Sequence, residues 1–285
     1  MTETILVTGS EGFIGKYLVS RLQRDGNKVI SFSRTLGNNL LLEDPFHKFL
    51  GQGIETVFHL AAHSINSESW DNPNIFYQSN TLGTQKVLEF CRKTGTRLIY
   101  LSSYIYGKPR YLPVDETHPA NPHSPYTHSK WLGEEICRFY AQNFQVPCSI
   151  IRPFNIYGPS QSDRFLIPHI ISDFQKFKVI NVENLESRRD FLFISDLVEA
   201  LIAVYCQKRP FEIYNVGYGQ SYSVAEIIQQ LEQIVGQKIT IHNSNRLRRG
   251  EILEITAGSR LIKERLWNPR ISLSEGLQMI LETFS

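Results

Sequence analysis

The 285-residue chain has only four cysteines, Cys91, Cys137, Cys148 and Cys206, and it has no Cys-x-x-Cys pair. No histidine accompanies them at metal-ligand spacing, so we expect no metal site and reduced, mostly buried thiols in a reducing compartment. The N-terminus lacks the basic and apolar regions of a signal peptide, and no apolar run approaches the ~18 residues of a membrane span. These absences predict a cytoplasmic protein without a membrane partner.

The chain also lacks a large excess of charge of either sign. Its 30 Lys and Arg residues and 28 Asp and Glu residues leave a net charge of +2. No basic stripe with interleaved aromatic residues occurs, so we expect no nucleic-acid partner. Internal repeats and low-complexity segments are absent as well. The composition is that of a globular enzyme or binding protein.

The first half of the chain alternates short, β-branched apolar runs with longer runs of helical period. Strands are predicted at residues 4–7, 28–32, 56–60, 96–101 and 148–151. Helices are predicted at residues 15–25, 74–94 and 126–144. This alternation predicts an α/β protein with a Rossmann-like, doubly wound parallel sheet, whose ligands lie beyond the carboxyl ends of the strands.

After residue 153 the elements become shorter, and Pro, Gly and Asn interrupt them. A helix is predicted near residues 165–177. We therefore divide the chain into a Rossmann-like domain, residues 1–153, and a smaller lobe, residues 154–285. Some segments of the lobe are expected to return to the main sheet.

A glycine-rich loop connects the first predicted strand to the first helix. Gly9, Gly12 and Gly15 form G-x-x-G-x-x-G, with Phe13 and Ile14 at the start of the helix. The glycines permit a tight turn, close approach of the backbone to a pyrophosphate, and close helix–strand packing. The helix N-terminus offers N–H groups to the anion. The loop predicts a dinucleotide site; a glycine-rich turn without a ligand is the alternative.

The end of the second predicted strand lacks the acid that binds the adenosine ribose of NAD. Ser33 and Arg34 stand there instead. Because the planar, cationic fork of arginine suits a 2′-phosphate, this pair predicts a preference for NADP (NADPH), with NAD possible. An exposed arginine without a ligand is the alternative reading.

"SPYTHSKWLGEE" places Tyr126 and Lys130 four residues apart, on one face of a helix that Ser124 caps. A nearby ammonium lowers the pKa of a phenol from ~10 toward the working range of a proton donor or acceptor. Ser102 and Ser103 end the fourth predicted strand, where a hydroxyl can donate to an oxygen that gains charge. Each motif alone also fits an ordinary helix face or strand end.

The glycine loop, the serine at the strand end and the Tyr126–Lys130 pair follow one another along the chain. In this order they resemble the motifs of extended short-chain dehydrogenases/reductases of the NAD-dependent epimerase/dehydratase type, which act on nucleotide sugars. Matching stretches include "VTGSEGFIG", "VFHLAAH", "LSSYIYG", "YTHSK" and "RPFNIYGP". In that family a Ser or Thr lies five residues before the Gly of the "YG" pair, which selects Ser102. The resemblance implies Tyr126 as the catalytic acid/base and Lys130 as its partner.

The resemblance also implies binding residues and a homodimer formed through helices 74–94 and 126–144. Residues implied to contact the cofactor are Leu60, Ala61, Ala62, Pro153 and Phe154. Residues implied to contact the sugar nucleotide are Ser103, Asn155, Arg189 and Arg248. The pairs of arginines at 188–189 and 248–249 can form a local anion site, or they are solvated basic turns.

The residues that follow Ser102 in the sequence indicate the type of reaction. Family members that eliminate water carry an acid just after this position, whereas this chain has Ser103 and Tyr104. Together with Arg34, this predicts NADPH-dependent reduction of the C4 ketone of a nucleotide-linked 4-keto-6-deoxyhexose. The C-terminal segment also resembles that of GDP-4-keto-6-deoxymannose reductases. Alternatives are a sugar-nucleotide epimerase that retains NAD and a non-catalytic NAD(P)-sensing protein.

Overall fold

The computed structural model describes residues 2–246 and 250–283, which separate into two compact units. The first unit comprises residues up to 107, residues 119–153 and residues 198–215. The second comprises residues 108–118, residues 154–197 and the described residues from 216 onward. The chain therefore enters each unit more than once.

A six-stranded sheet forms the centre of the first unit, in the order β2-β1-β3-β4-β5-β9. The strands are β1 (Thr4–Thr8), β2 (Lys28–Phe32), β3 (Thr56–His59), β4 (Arg97–Leu101), β5 (Cys148–Pro153) and β9 (Phe211–Val216). The pairs from β2 to β5 are parallel. The α/β class and the parallel sheet are confirmed, and β2 has the predicted bounds.

The remaining elements of the first unit are helical. They are α1 (Phe13–Arg24), α2 (Glu68–Asp71), α3 (Pro73–Phe76), α4 (Gly83–Thr94), α5 (Pro125–Phe144), and 3₁₀ turns at Arg34–Leu36 and His47–Phe49. The helix predicted at 74–94 is present, and it contains a π-helical turn at Tyr77–Leu82 between α3 and α4. Helix α5 starts with a capping box, in which Ser124 and Thr127 satisfy each other's backbone N–H groups.

The strand register places the strand ends side by side. Thr8 pairs with both Phe32 and His59, and His59 pairs with Tyr100. Below these ends, α1 packs on β1 and β2, and α4 packs on β3 and β4. Since the strands are parallel, the loops after β1, β2, β3 and β4 all leave the same edge. This edge carries most of the residues that the sequence singles out.

In the second unit, β8 pairs with three other strands. The strands are β6 (Asn155–Tyr157), β7 (Val179–Val182), β8 (Arg188–Phe193), β10 (Ser221–Ser223), β11 (Thr240–Asn243) and β12 (Glu254–Ile255). The helices are α6 (Leu166–Phe177), α8 (Val224–Val235), α9 (Arg260–Arg265) and α10 (Leu273–Glu282), while α7 (Ile194–Gln207) continues into the residues of the first unit. Helix α6 matches its prediction within one residue.

The cysteines are all free thiols, as predicted. Cys91, Cys137 and Cys148 are buried, and Cys206 is exposed. Over the described residues, the helices are too short or too polar to cross a membrane.

Candidate active site

The glycine loop joins β1 to α1 with very little space. Gly9 has a φ of +71°, and a Cβ added there would lie 2.8 Å from the backbone nitrogen of Ala61. A Cβ at Gly15 would collide with the carbonyl oxygen of Gly9 and would lie 2.8 Å from the Cα atom of Ser10. The N–H of Gly12 closes the turn by donating to the Gly9 carbonyl at 2.9 Å. Gly9 is therefore required for its positive φ. Gly9 and Gly15 are both required because a side chain at either position would collide with the backbone.

The start of α1 fits a pyrophosphate group. The helix follows Gly12 without a side-chain cap, and its first turn, which includes Phe13 and Ile14, contains no acidic residue. Ser10 is 1% exposed, and its hydroxyl has no hydrogen-bond partner among the described residues. A buried hydroxyl without a partner is costly, so this one fits a polar ligand group held beside the helix N-terminus. Sequence reasoning missed Ser10, because a serine between two glycines carries no signal of its own.

The segment after β2 contains a cation, Arg34, and no carboxylate. The hydroxyls of Ser33 and Thr35 hydrogen-bond at 2.8 Å, which fixes the turn. Arg34 is exposed, and residues 33–42 include no Asp or Glu. Burial lowers the pKa of His63 below its usual value, and the charge of Arg34 lowers that pKa further. The charge of Arg34 therefore acts on the segment that follows β3.

Leu60, Ala61 and Ala62 are half-buried and are fixed at both ends of their segment. The N–H of Ala61 donates to the Thr8 hydroxyl at 3.2 Å. The N–H of His63 donates to the Asn80 side chain at 2.9 Å, and that side chain donates to the His63 carbonyl at 3.0 Å. Asn80 lies in the π-helical turn. This turn therefore holds the backbone next to Leu60, Ala61 and Ala62, the residues that the resemblance assigned to cofactor binding.

A buried histidine links the sheet to α4. The Thr84 hydroxyl donates to the Asn80 carbonyl at 2.6 Å, so its oxygen accepts from Nε2 of His59 at 3.1 Å. Nδ1 of His59 then accepts from the Thr8 hydroxyl at 2.7 Å. Burial lowers the pKa of His59 to about 3, with the charge of Lys130 as a second cause. His59 is therefore a neutral structural bridge.

Tyr126 and Lys130 lie one turn apart near the start of α5, as predicted. Tyr126 is half-buried, and its ring packs edge-on against Phe76 with 6.3 Å between centroids. Lys130 is buried, and its Nζ lies 4.5 Å from the centroid of the Tyr100 ring. The two side chains therefore come from one helical face, and the ammonium lies over an aromatic ring.

The expected lowering of the Tyr126 pKa does not occur in this structure. Burial raises the pKa of Tyr126 above its usual value, a hydrogen bond from Ser103 lowers it by less, and Tyr104 raises it. Burial also lowers the pKa of Lys130 to about 7. The expectation was wrong because it counted the ammonium and not the cost of burying both groups.

The two serines after β4 have different partners. Ser102 donates its hydroxyl proton to the carboxylate of Glu134, whereas Ser103 lowers the pKa of the Tyr126 phenol. Both serines are buried. The resemblance assigned the catalytic hydrogen bond to Ser102, whose hydroxyl is bonded to Glu134 in this structure.

Glu134 also forms a buried ion pair that the sequence motifs did not indicate. Nε and Nη2 of Arg152 donate to its carboxylate at 3.0 and 2.6 Å. Nη1 of Arg152 donates to the Tyr106 hydroxyl at 2.9 Å, and that hydroxyl donates to Asn215. The network joins β4, α5, β5 and β9 within the first unit. Its residues are far apart in sequence, so no local pattern could have indicated it.

The remaining predicted residues lie further along the chain. Pro153 ends β5. In the second unit Phe154 is buried, Asn155 donates to the Asp190 carbonyl at 3.0 Å, and Arg189 donates to the Arg188 carbonyl at 2.9 Å. Arg248 lies outside the described residues.

Residues 5–217 match the NAD dependent epimerase/dehydratase family. The chain belongs to this family. The match includes the glycine loop, the serines after β4 and the Tyr126–Lys130 pair. It confirms the resemblance that the motifs implied, and with it an NAD(P)-dependent enzyme of the extended short-chain dehydrogenase/reductase type.

Relatives include both epimerases and a reductase. An uncharacterized UDP-glucose epimerase of Bacillus subtilis is 32% identical, over 96% of this chain and 95% of its own length. A GDP-6-deoxy-D-mannose reductase of Pseudomonas aeruginosa is 28% identical, over 99% of this chain and 97% of its own length.

Solved structures show the same fold with either cofactor. RMD from Pseudomonas aeruginosa, complexed with NADPH, is 27% identical, with a TM-score of 0.89 over 99% of this chain and 97% of its own. A UDP-glucuronic acid 4-epimerase from Bacillus cereus, in complex with UDP-glucuronic acid and NAD, is 27% identical, with a TM-score of 0.88 over 99% of this chain and 100% of its own.

Proposed function

We propose that the protein reduces the C4 ketone of a nucleotide-linked 4-keto-6-deoxyhexose with NADPH. Arg34 carries this proposal. It follows β2 directly, where an acid would bind the ribose hydroxyls of NAD, and residues 33–42 offer no carboxylate. A guanidinium at this place suits a 2′-phosphate. NADP is the cofactor that a reductase draws from solution and releases after each turnover.

The residues of the carboxyl edge suit the cofactor. Ser10 and the first turn of α1 would hold the pyrophosphate, and Lys130 would donate to the nicotinamide ribose. The half-buried segment from Leu60 to Ala62 and the end of β5 at Pro153 would line the rest of the cofactor. When bound, the nicotinamide supplies a hydride to C4 of the sugar.

Tyr126 would act as the acid in this reaction. Hydride addition turns the C4 ketone into an alkoxide, and Tyr126 gives its phenolic proton to that oxygen, so that the C4 alcohol and a phenolate result. A serine hydroxyl at the end of β4 donates a hydrogen bond to the same oxygen. A phenol, with an ordinary pKa of ~10, is protonated at neutral pH and can therefore serve as this acid.

The residues after β4 argue against elimination of water. A dehydratase needs a proton shuttle at the carbon next to the ketone, and Ser103 and Tyr104 offer no carboxylate there. We therefore exclude a 4,6-dehydratase from the proposal.

An epimerase is the second candidate, favoured by the UDP-glucose epimerase among the relatives. Such an enzyme retains NAD, oxidises the sugar and reduces it again. Tyr126 would then first accept a proton from the sugar hydroxyl and return it in the second step.

The test measures the oxidation of NADPH and NADH with a panel of GDP-, dTDP-, UDP- and CDP-linked 4-keto-6-deoxy sugars. Steady turnover of one of them with NADPH is expected. Epimerisation of a stable nucleotide sugar, with no oxidation of NADPH by any member of the panel, would show the epimerase instead. The active member of the panel would also name the nucleotide.

We also propose that the protein is a homodimer through α4, α5 and the π-helical turn. Large apolar side chains are exposed there: Leu82 and Phe139 are each 55% exposed, and Phe144 is 45% exposed. Burying these side chains against a second copy would remove apolar surface from water. Helices α4 and α5 and the π-helical turn, which carry these side chains, pack closely against one another.

A further inference from the structure

The side chain of Ser102 is held by a partner inside the first unit. Ser102 directly follows β4 and is 4% exposed. Its N–H donates to the Ile151 carbonyl of β5 at 2.7 Å, and its hydroxyl donates to the carboxylate of Glu134 on α5. A serine side chain can adopt three staggered positions, and the bond to Glu134 selects one of them. The place of the Ser102 oxygen therefore depends on Glu134.

Glu134 is itself fixed by an ion pair. Nε of Arg152 donates to both oxygens of the buried carboxylate, at 3.0 and 3.1 Å, and Nη2 donates to one of them at 2.6 Å. Nη1 of Arg152 donates to the Tyr106 hydroxyl at 2.9 Å, so the guanidinium is held as well. Because the guanidinium bonds both oxygens, Glu134 keeps a strong partner when the Ser102 proton turns elsewhere.

Stability alone does not account for an ion pair at this place. The cost of desolvating two buried charges offsets most of their attraction, and apolar residues of similar volume are often equally stabilising. Glu134 lies four residues after Lys130 and eight after Tyr126, so the three side chains project from one face of α5. Helical side chains lean toward the N-terminus, which brings the Glu134 carboxylate toward Lys130 and Tyr126. The pair is therefore well placed to serve the site.

We infer that Glu134, fixed by Arg152, is a positioning residue for the hydroxyl of Ser102. This inference rests on the proposed function, in which a serine at the end of β4 donates to the C4 oxygen. With the ketone bound, the Ser102 proton turns from Glu134 to the C4 oxygen, while the serine oxygen stays in place. Once the alcohol has formed, its hydroxyl donates to the serine oxygen, and the Ser102 proton turns back to Glu134. Ser102 keeps its proton throughout.

The first experiment is a double-mutant cycle on kcat, with the sugar that is active in the panel. The pair variant combines Glu134→Leu with Arg152→Met, so that neither charge is left buried alone. It should lower kcat by about 10- to 100-fold with little change in KM, because the serine oxygen is no longer held at the reacting oxygen. In a Ser102→Ala background the same two changes should lower kcat by less than about twofold, since no hydroxyl remains to be positioned.

Arg97→Met is the control for the loss of a buried guanidinium. Arg97 is the first residue of β4, at the opposite end of the strand from Ser102, and it is also buried. It donates to the carbonyls of Val204 and Tyr205, at 3.1 and 2.7 Å. The variant should melt at a lower temperature because these carbonyls lose a donor, and its kcat should not change.

A purely structural role of the ion pair gives a different result. Equal fold losses of kcat in the wild-type and Ser102→Ala backgrounds would overturn the inference, and so would an unchanged kcat in the pair variant. If the wild type oxidises NADPH with no keto sugar, the proposed reduction fails. The same cycle is then measured on epimerisation of a stable nucleotide sugar, where Ser102 would contact the same C4 oxygen. A wild-type protein with neither activity overturns both proposals.

A second measurement applies if the pair variant does not fold. It is a crystal structure of the wild type with NADP and the alcohol product. The Ser102 oxygen should lie within hydrogen-bond distance of both the Glu134 carboxylate and the C4 oxygen. A Ser102 side chain that is turned away from Glu134 in this complex would refute the inference.

Discussion

Arg34 is the residue on which the choice of cofactor depends. Replacing it with Ala should weaken NADPH binding by about 10- to 100-fold, since hydrogen bonds to a charged group contribute about 1.5–3 kcal/mol. NADH lacks the 2′-phosphate, so its binding should not change. Fluorescence titration with both cofactors measures this, and Arg24→Ala, an exposed arginine at the end of α1, is the control. Equal losses for NADPH and NADH would contradict the assignment.

Lys130 illustrates the cost of a functional charge in a buried place. Burial lowers its pKa to about 7 in the folded protein, while the unfolded chain keeps the ordinary value of 10.5. Between these values the unfolded state binds more protons, so stability rises with pH across this window. The penalty of burying the ammonium is therefore fully present below pH 7 and disappears toward pH 10.5.

Lys130→Met should consequently be more stable than the wild type at about pH 6, by up to a few kcal/mol at ~1.4 kcal/mol per pKa unit, and the difference should shrink by about pH 9. The variant should also lose activity. Urea unfolding at both pH values tests the stability. A variant that is less stable at the lower pH would show that Lys130 stabilises the fold.

At the scale of elements, the loop between β1 and α1 has no space for a side chain. Gly15→Ala should abolish cofactor binding and destabilise the protein by about 1–3 kcal/mol, because its Cβ collides with the Gly9 carbonyl. Gly26→Ala is a suitable control: Gly26 is exposed with a φ of +85°, and an added Cβ there meets nothing within 4 Å. That control should bind NADPH normally. Normal binding by Gly15→Ala would show that the loop can move.

Sequence periodicity predicted the strands and most helices of the first unit, because alternating apolar patterns report local burial. It did not predict the π-helical turn inside the helix from 74 to 94. Asn80 lies in this turn, and its side chain bonds the His63 backbone and the Ser129 hydroxyl, at 2.9–3.0 Å. These bonds come from residues 17 and 49 positions away, and a local pattern does not contain them.

The candidate site was predictable to a similar extent. The glycine loop and the Tyr126–Lys130 pair follow from spacing along one element. The partners of Ser102 and Ser103 do not, since two adjacent serines look alike in sequence, and only the fold places Glu134 beside one of them. The raised pKa of Tyr126 likewise depends on burial by distant segments.

For the whole molecule, the exposed aromatic residues of α5 predict the oligomeric state. Phe139→Glu should convert a dimer into a monomer, because a charge would be buried at the proposed interface. Phe177→Glu is the matched control: Phe177 is 64% exposed on α6, outside that surface. Light scattering after size-exclusion chromatography measures the mass. A wild-type monomer, or equal effects of the two changes, would refute the proposed dimer.

The most direct test of the proposed reduction follows the hydrogen that is transferred. The protein is incubated with NADPH carrying deuterium at both C4 positions of the nicotinamide and with each 4-keto-6-deoxy sugar of the panel in turn. We predict one NADPH oxidised per product molecule and one deuterium at C4 of the sugar. A changed sugar configuration without NADPH oxidation, and without deuterium in the product, would contradict the account and identify an epimerase.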